Sequence, residues 1–312
     1  MYRPMMLLAT LLALSGCQGM AGPPNAEAEF AGTRCLLLLS KDPLGYDDQR
    51  FIDRYANDEH PQCLVALGKL YQRGQGYVWQ NFGKARRLYA QASKGSPLGD
   101  VALGRMAETG AGEPVDYTKA REHYTLAGQS GAESLGRLQE AGKGGPKDLE
   151  AAISSYLRAT RYPGDDAWNA MDQLREQGQA LTDAQRQQYE QLWMKALVQQ
   201  QSRALWFSEV SAAVRAAPHL QTGQLTYHFK AGSGTPQITL SQRFGDDKVD
   251  YWVMKALSKM SIRSVRPLTD ASGTREVSLP LRFTASWARA RYPSLCRFMD
   301  CSDSPREMFL SQ

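Results

Sequence analysis

Leu67-Gly68, Leu103-Gly104 and Leu135-Gly136 recur at intervals of 36 and 32 residues. That internal period constrains the fold more than any other feature of the chain. Downstream of each pair runs an Ala-x3-Tyr-x2-Ala pattern: Ala85/Tyr89/Ala92, then Ala120/Tyr124/Ala127, then Ala152/Tyr156/Ala159. Positions i, i+4 and i+7 share one helix face, so each pattern predicts an amphipathic second helix whose small residues admit a close neighbour. Gly74-Gln75-Gly76 and Gly110-Ala111-Gly112 lie between the two helices of the first two units, where a tight turn demands positive φ. Such αα-hairpins bury their apolar faces by stacking on one another. Phe51, Ile52 and Tyr55 predict a capping helix ahead of the first unit. Tyr71, Tyr89, Tyr124 and Tyr156 read as packing between helices rather than as a binding box, because they follow the same period.

The stretch from Ala66 to Gly131 resembles tandem Sel1-like repeats, relatives of the tetratricopeptide repeat. It shows a Leu-Gly in the first helix, a G-x-G turn, Lys84-Ala85 or Lys119-Ala120 opening the second helix, and an aromatic followed by Ala. The third unit has Glu150-Ala151-Ala152 in place of the Lys-Ala and is degenerate. The resemblance implies a helical solenoid whose concave face is a platform for a protein partner.

The N-terminus reads as a secretory address. Arg3 supplies a basic start and Met5 to Leu14 an apolar run of ten residues, too short for a membrane span of about 20 residues. Leu14-Ser15-Gly16-Cys17 follows, and this string resembles the lipobox of bacterial lipoproteins. The resemblance implies cleavage after residue 16 and a diacylglyceryl group on Cys17. Gln18 stands where Asp marks inner-membrane retention in that family, which implies the outer membrane. Pro23-Pro24 and the Ala/Glu-rich stretch beyond predict a tether over residues 17–34.

Removing residues 1–16 from the 312 leaves 296, enough for two modest domains. The formal charge is +5 with acidic and basic residues interleaved, a solvated surface rather than a nucleic-acid footprint. With Cys17 lipidated, four cysteines remain: Cys35, Cys63, Cys296 and Cys301. An even set in an oxidising compartment suggests two disulfides. Cys35–Cys63 with Cys296–Cys301 is the economical pairing among three connectivities. Zinc is the alternative, although no CxxC or HxxxH spacing supports it.

Beyond residue 162 the pattern changes. Pro163-Gly164-Asp165-Asp166 breaks the repeats, and Thr182-Asp183 starts a Gln-rich helix expected to run to about Gln201. Leu192, Met194, Ala196, Leu197, Leu205, Trp206, Val210 and Val214 give residues 163–218 apolar positions to pack. Leu225, Tyr227 and Phe229 then alternate with polar residues as in a strand. Gln237 to Gln242 is a second strand with Ile238 and Leu240 inward, and Asp247 to Met260 is an amphipathic helix. Val277, Leu279, Leu281 and Phe283 alternate again, with Pro280 on the opposite face, as suits an edge or bulged strand. The fold class expected is therefore mainly α, a solenoid of αα-hairpins over residues 35–162 and a helical extension over 163–218. A small α+β domain of ββαβ order over 219–286 and a tail over 287–312 complete it.

The ββαβ segment resembles the C-terminal domain of TonB and related energy transducers, on Phe229, Val249-Asp250, Ala256-Leu257, Val265-x-Pro267 and Phe283. It departs at Gly234-Thr235-Pro236, where Gly-x-Val usually stands, and at Asp246-Asp247-Lys248, where Ser-Ser-Gly is common. The resemblance implies docking by addition of a partner strand.

His60, His123, His219 and His228 are scattered, without metal-ligand or nucleophile–base spacing. No GxSxG, P-loop or HExxH appears. Asp165-Asp166 and Asp246-Asp247 fall at helix starts, where acidic residues favour the dipole. These observations point to a non-enzymatic adaptor lipoprotein in envelope, secretion or exopolysaccharide-export assembly. It would be held at the outer membrane by its lipid and bind other envelope proteins, with no cofactor, metal, nucleic acid or small-molecule substrate. The alternatives are an accessory of a TonB-like transport system and, from another class, a hydrolase of peptidoglycan or polysaccharide.

Overall fold

Proline and small polar residues punctuate the chain into hairpins. The computed structural model describes residues 26–162, 164–206, 209–217, 219–230, 233–260, 267–270 and 272–283. The expected signal peptide, Cys17, Cys296, Cys301 and the tail lie outside them. The described residues form two compact units, one ending at Ala127 and the other starting at Gly128.

In the first unit, α1 (Ala26–Leu38) and α2 (Tyr46–Asn57) precede two hairpins, α3 (Pro61–Arg73) with α4 (Phe82–Ala92) and α5 (Pro97–Thr109) with α6 (Tyr117–Leu126). Pro61 and Pro97 open α3 and α5, positions where the missing N–H costs nothing. Ile52 and Tyr55 are buried in α2, as a capping helix requires, while Phe51 packs at the edge of the core.

Residues 26–34 of the expected tether belong to a helix instead. Ala26 onwards is helical, and Ala31 and Cys35 have no exposed surface. The Ala/Glu composition that suggested a linker also has high helix propensity. The disulfide between Cys35 and Cys63 fastens this helix to α3, with the Cα atoms 5.2 Å apart.

The second unit holds the third hairpin, α7 (Ala132–Glu140) with α8 (Leu149–Ala159). It continues through α9 (Asp166–Glu176), α10 (Asp183–Trp206) and α11 (Val210–Ala216). Thr182 caps α10 reciprocally: its Oγ1 accepts from the Gln185 amide at 3.3 Å, and the Gln185 side chain accepts from the Thr182 amide at 2.9 Å. This is a capping box. The helix then continues past Gln201 to Trp206.

β1 (Gly223–Lys230), β2 (Gln237–Gln242), α12 (Asp247–Leu257) and β3 (Thr274–Leu281) follow in the expected ββαβ order. The sheet is antiparallel in the order β2-β1-β3, with a register shift at Gln224/Leu225. Pro280 sits on β3, an outer strand, opposite Gln224. Leu225, Tyr227 and Phe229 are buried, and Ile238 and Leu240 pack against them from β2.

The expected boundaries at residues 162 and 218 do not separate cores. One cluster of buried side chains runs from Ala152 and Tyr156 through Trp168, Tyr189 and Trp193 to Phe229 and Leu281. Trp193 meets the Phe229 ring edge-on at 5.3 Å. Tyr227 donates its buried hydroxyl to Gln201 at 2.7 Å, and Arg275 reaches Glu190 at 3.0 Å. The helical extension therefore supplies one wall of the sheet's core.

Candidate functional site

Each hairpin is closed by the same two contacts. Where a Cβ would stand on Gly68, the Tyr89 ring comes within 2.5 Å; Tyr124 does the same over Gly104 at 2.7 Å, and Tyr156 over Gly136 at 2.8 Å. Any larger residue would push the two helices apart. The tyrosine hydroxyl then donates one turn further along the first helix, to Gln72, Glu108 and Glu140 at 2.8, 2.7 and 2.6 Å. Burial pushes the Tyr89 and Tyr156 phenols above their ordinary range, and for Tyr156 the Glu140 carboxylate adds to it.

The second helices are capped alike. Asn81, Asp116 and Asp148 accept from the amides of Lys84, Lys119 and Ala151 at 2.8 to 2.9 Å, satisfying an otherwise orphaned donor. Gly74, Gly76, Gly110 and Gly112 all have positive φ, as the turns require. Gly142 and Gly144 do so in the third unit, where sequence reading had stopped at the altered Glu150-Ala151-Ala152. Ala85, Ala92, Ala120 and Ala127 are buried, as are Leu67 and Leu103. These residues hold the hairpins together and leave their outer faces for contact.

The connection between α3 and α4 carries features without a periodic signal. Trp79 is 92% exposed, beside exposed Tyr77, which meets exposed Tyr46 edge-on at 5.5 Å. A pocket of about 280 Å³ opens at Tyr77, lined by Leu44, Leu70, Asp42 and Gln75 among others. The signal available in the sequence was an aromatic pair directly after the first G-x-G turn, where the second unit has Glu113 and Val115.

The titratable residues are occupied locally. Asp165 caps α9 through the Trp168 amide at 2.9 Å, and Asp246 caps α12 through the amides of Lys248 and Val249. Asp250 is buried and accepts from the Phe244 amide at 2.9 Å and from Arg243 Nε at 2.6 Å. Asp247 pairs with the same guanidinium. His123 lies 3.0 Å from Asp100 and His228 3.2 Å from Glu276, while His219 is exposed. Among the described residues no group of three His, Cys, Asp or Glu could hold a metal ion. No helix there is long and apolar enough to cross a membrane.

Paired helices of about 36 residues, closed by a tyrosine over a glycine, define a helical-repeat protein. The Sel1 repeat family model matches residues 61–96, 99–131 and 132–160, so the chain carries three Sel1 repeats. A Sel1 repeat protein from Oxalobacter formigenes is similar over 53% of this chain and 70% of its own, at 21% identity and a TM-score of 0.41. So is c5321, a protective antigen of uropathogenic Escherichia coli strains that displays an SLR fold, over 61% of this chain at 21% identity and a TM-score of 0.42. This chain spans 43% of the c5321 chain. No curated protein sequence matches.

Proposed function

We propose that the protein is a periplasmic adaptor, anchored at the outer membrane through a lipid on Cys17, whose repeats dock another envelope protein. Sel1-repeat proteins generally mediate protein–protein interactions, and three such repeats are present. The observation that carries the reading is the division of labour within each hairpin. In all three the periodic residues are spent on the Tyr–Gly closure and the caps, and in the first hairpin the large aromatics Trp79 and Tyr77 stay on the outside. Exposed aromatics of this size are typical anchors at interfaces. The setting we favour is assembly of an envelope, secretion or exopolysaccharide-export machine, where a fixed scaffold brings partners together.

A second reading concerns the sheet. Among the described residues both β2 and β3 are outer strands in the order β2-β1-β3, and an outer strand offers backbone groups for a partner strand. With the likeness of this segment to the TonB C-terminal domain, that supports an accessory role in a TonB-like transport system.

Crosslinking in intact cells followed by mass spectrometry tests the adaptor. A specific envelope protein recovered with the wild type, and lost with Trp79→Ala, supports it. Recovery of no specific partner, with purified protein hydrolysing a cell-wall polymer, overturns it in favour of an envelope hydrolase.

A further inference from the structure

The residue after each Leu-Gly is basic: Lys69, Arg105 and Arg137. In the first unit this places cations close together. Lys69 and Arg73 stand at i and i+4 on one face of α3. α5 packs beside α3, and Arg105 holds on α5 the place that Lys69 holds on α3. Lys69 is half-buried, while Arg73 and Arg105 reach the surface. None of these three makes an ion pair with a carboxylate among the described residues, and Arg73 contacts the neutral Gln75 at 3.4 Å. Elsewhere in the unit Lys41 is matched to Asp48, and Arg86 and Lys119 to Glu113, while Arg34, Arg50, Arg54 and Lys84 lie over aromatic rings.

The repeat itself shows what is missing. The residue that receives the tyrosine hydroxyl is Glu108 in the second hairpin and Glu140 in the third, but Gln72 in the first. The hairpin that contributes Lys69 and Arg73 has an amide where the other two have a carboxylate. Like charges at i and i+4 destabilise a helix, and a partly buried cation without a counter-charge costs more. Burial, then Arg73 and Arg105, hold the Lys69 ammonium below its ordinary range, with no acid offsetting them. An anion supplied from outside would offset that cost.

We propose that Lys69, Arg73 and Arg105 form a docking site for the carboxylates of an acidic segment of a partner protein. This rests on the adaptor reading and names the partner's chemistry. A half-buried Lys69 with two exposed guanidiniums nearby suits a carboxylate-bearing segment, which Arg can hold in a bidentate fork. A membrane surface would instead meet a plane of fully exposed cations.

The test uses full-length protein and a fluorescein-labelled peptide of repeating Glu-Ala, with Gln-Ala as control. Polygalacturonate and vesicles of phosphatidylglycerol in phosphatidylcholine are separate arms. The Glu-Ala peptide is expected to bind, more weakly as salt rises. The double variant Lys69→Gln/Arg105→Gln is expected to lose about tenfold or more in affinity, as befits charge-assisted contacts. Gln72→Glu, which restores the carboxylate of the other hairpins, should weaken binding while Tyr89 keeps an acceptor. Unfolding midpoints no lower than wild type would show that the variants fold. A Glu-Ala peptide that does not bind, or binds both variants as well as wild type, overturns the proposal. So does loss confined to the vesicle or polysaccharide arm. In cells, a double variant that keeps the wild type's crosslinked partner leaves the adaptor standing and this site refuted; a wild type without a partner refutes the adaptor itself.

Discussion

The Tyr89 ring occupies the space that a side chain on Gly68 would need, its Cε1 atom 2.5 Å from where that Cβ would be. A glycine inside a helix ordinarily costs about 1 kcal/mol relative to alanine, and here close approach of α4 to α3 depends on it.

Gly68→Ala, Gly104→Ala and Gly136→Ala should therefore each destabilise, despite the gain in helix propensity. Overpacking of this kind costs about 1–3 kcal/mol. Urea denaturation of single variants measures it, and a stabilised Gly68→Ala would refute the closure as described.

The tyrosine hydroxyls meet unlike acceptors. Removing a hydrogen bond to a neutral group costs about 0.5–1.5 kcal/mol and to a charged one about 1.5–3 kcal/mol. Tyr156→Phe, which strips a bond to the Glu140 carboxylate, should cost more than Tyr89→Phe, whose partner is the Gln72 amide. The ranking of the two unfolding midpoints decides the matter.

Tyr89, Tyr156, Tyr189 and Tyr227 are all held above the ordinary phenol value of 10.0, chiefly by burial. A group raised in the folded state contributes stability that is complete below its unfolded value and is lost as pH climbs from there through the raised one. Stability should fall steeply above pH 10.0, and phenolate absorbance from these four should emerge together with loss of helical circular dichroism. Ionisation well before unfolding would contradict their burial.

The Cys35–Cys63 bridge closes 28 residues of sequence, and a loop of that length is worth about 3–4 kcal/mol in the chain-entropy account. Cys35→Ser/Cys63→Ser should lower the unfolding midpoint accordingly, whereas reductant should leave that variant unchanged. Both effects are read in one thermal series.

Under the proposed lipid anchoring, wild-type protein should fractionate with the outer membrane and Cys17→Ser with the soluble periplasm. If the variant still fractionates with the membrane, something other than lipid on that residue retains it.

Periodic features were legible beforehand because repetition averages out local noise. Leu67, Gly68, Ala85, Tyr89 and Ala92 could be placed on facing helices from spacing alone, and the bond between Cys35 and Cys63 was the economical choice among three connectivities. The alternation at Leu225, Tyr227 and Phe229 gave a strand for the same reason. What stayed hidden depends on distance in space. That Trp193 would meet Phe229, or that Gln201 would accept from Tyr227, has no local signature. The linker-like composition near Ala26 misled because alanine and glutamate favour helices once Cys35 ties them down. The cations around Lys69 escaped notice because Arg105 lies 36 residues away along the chain.

Trp193 and Gln201 belong to α10, yet their partners Phe229 and Tyr227 belong to the sheet. For the ancestry of such chains this sets a rule about recombination. A gene fusion that transplanted the sheet alone, from residue 219 onwards, would deliver an uncovered aromatic face to its new host. The inheritable cassette starts no later than α10, so descendants should carry that long helix and the sheet together or neither.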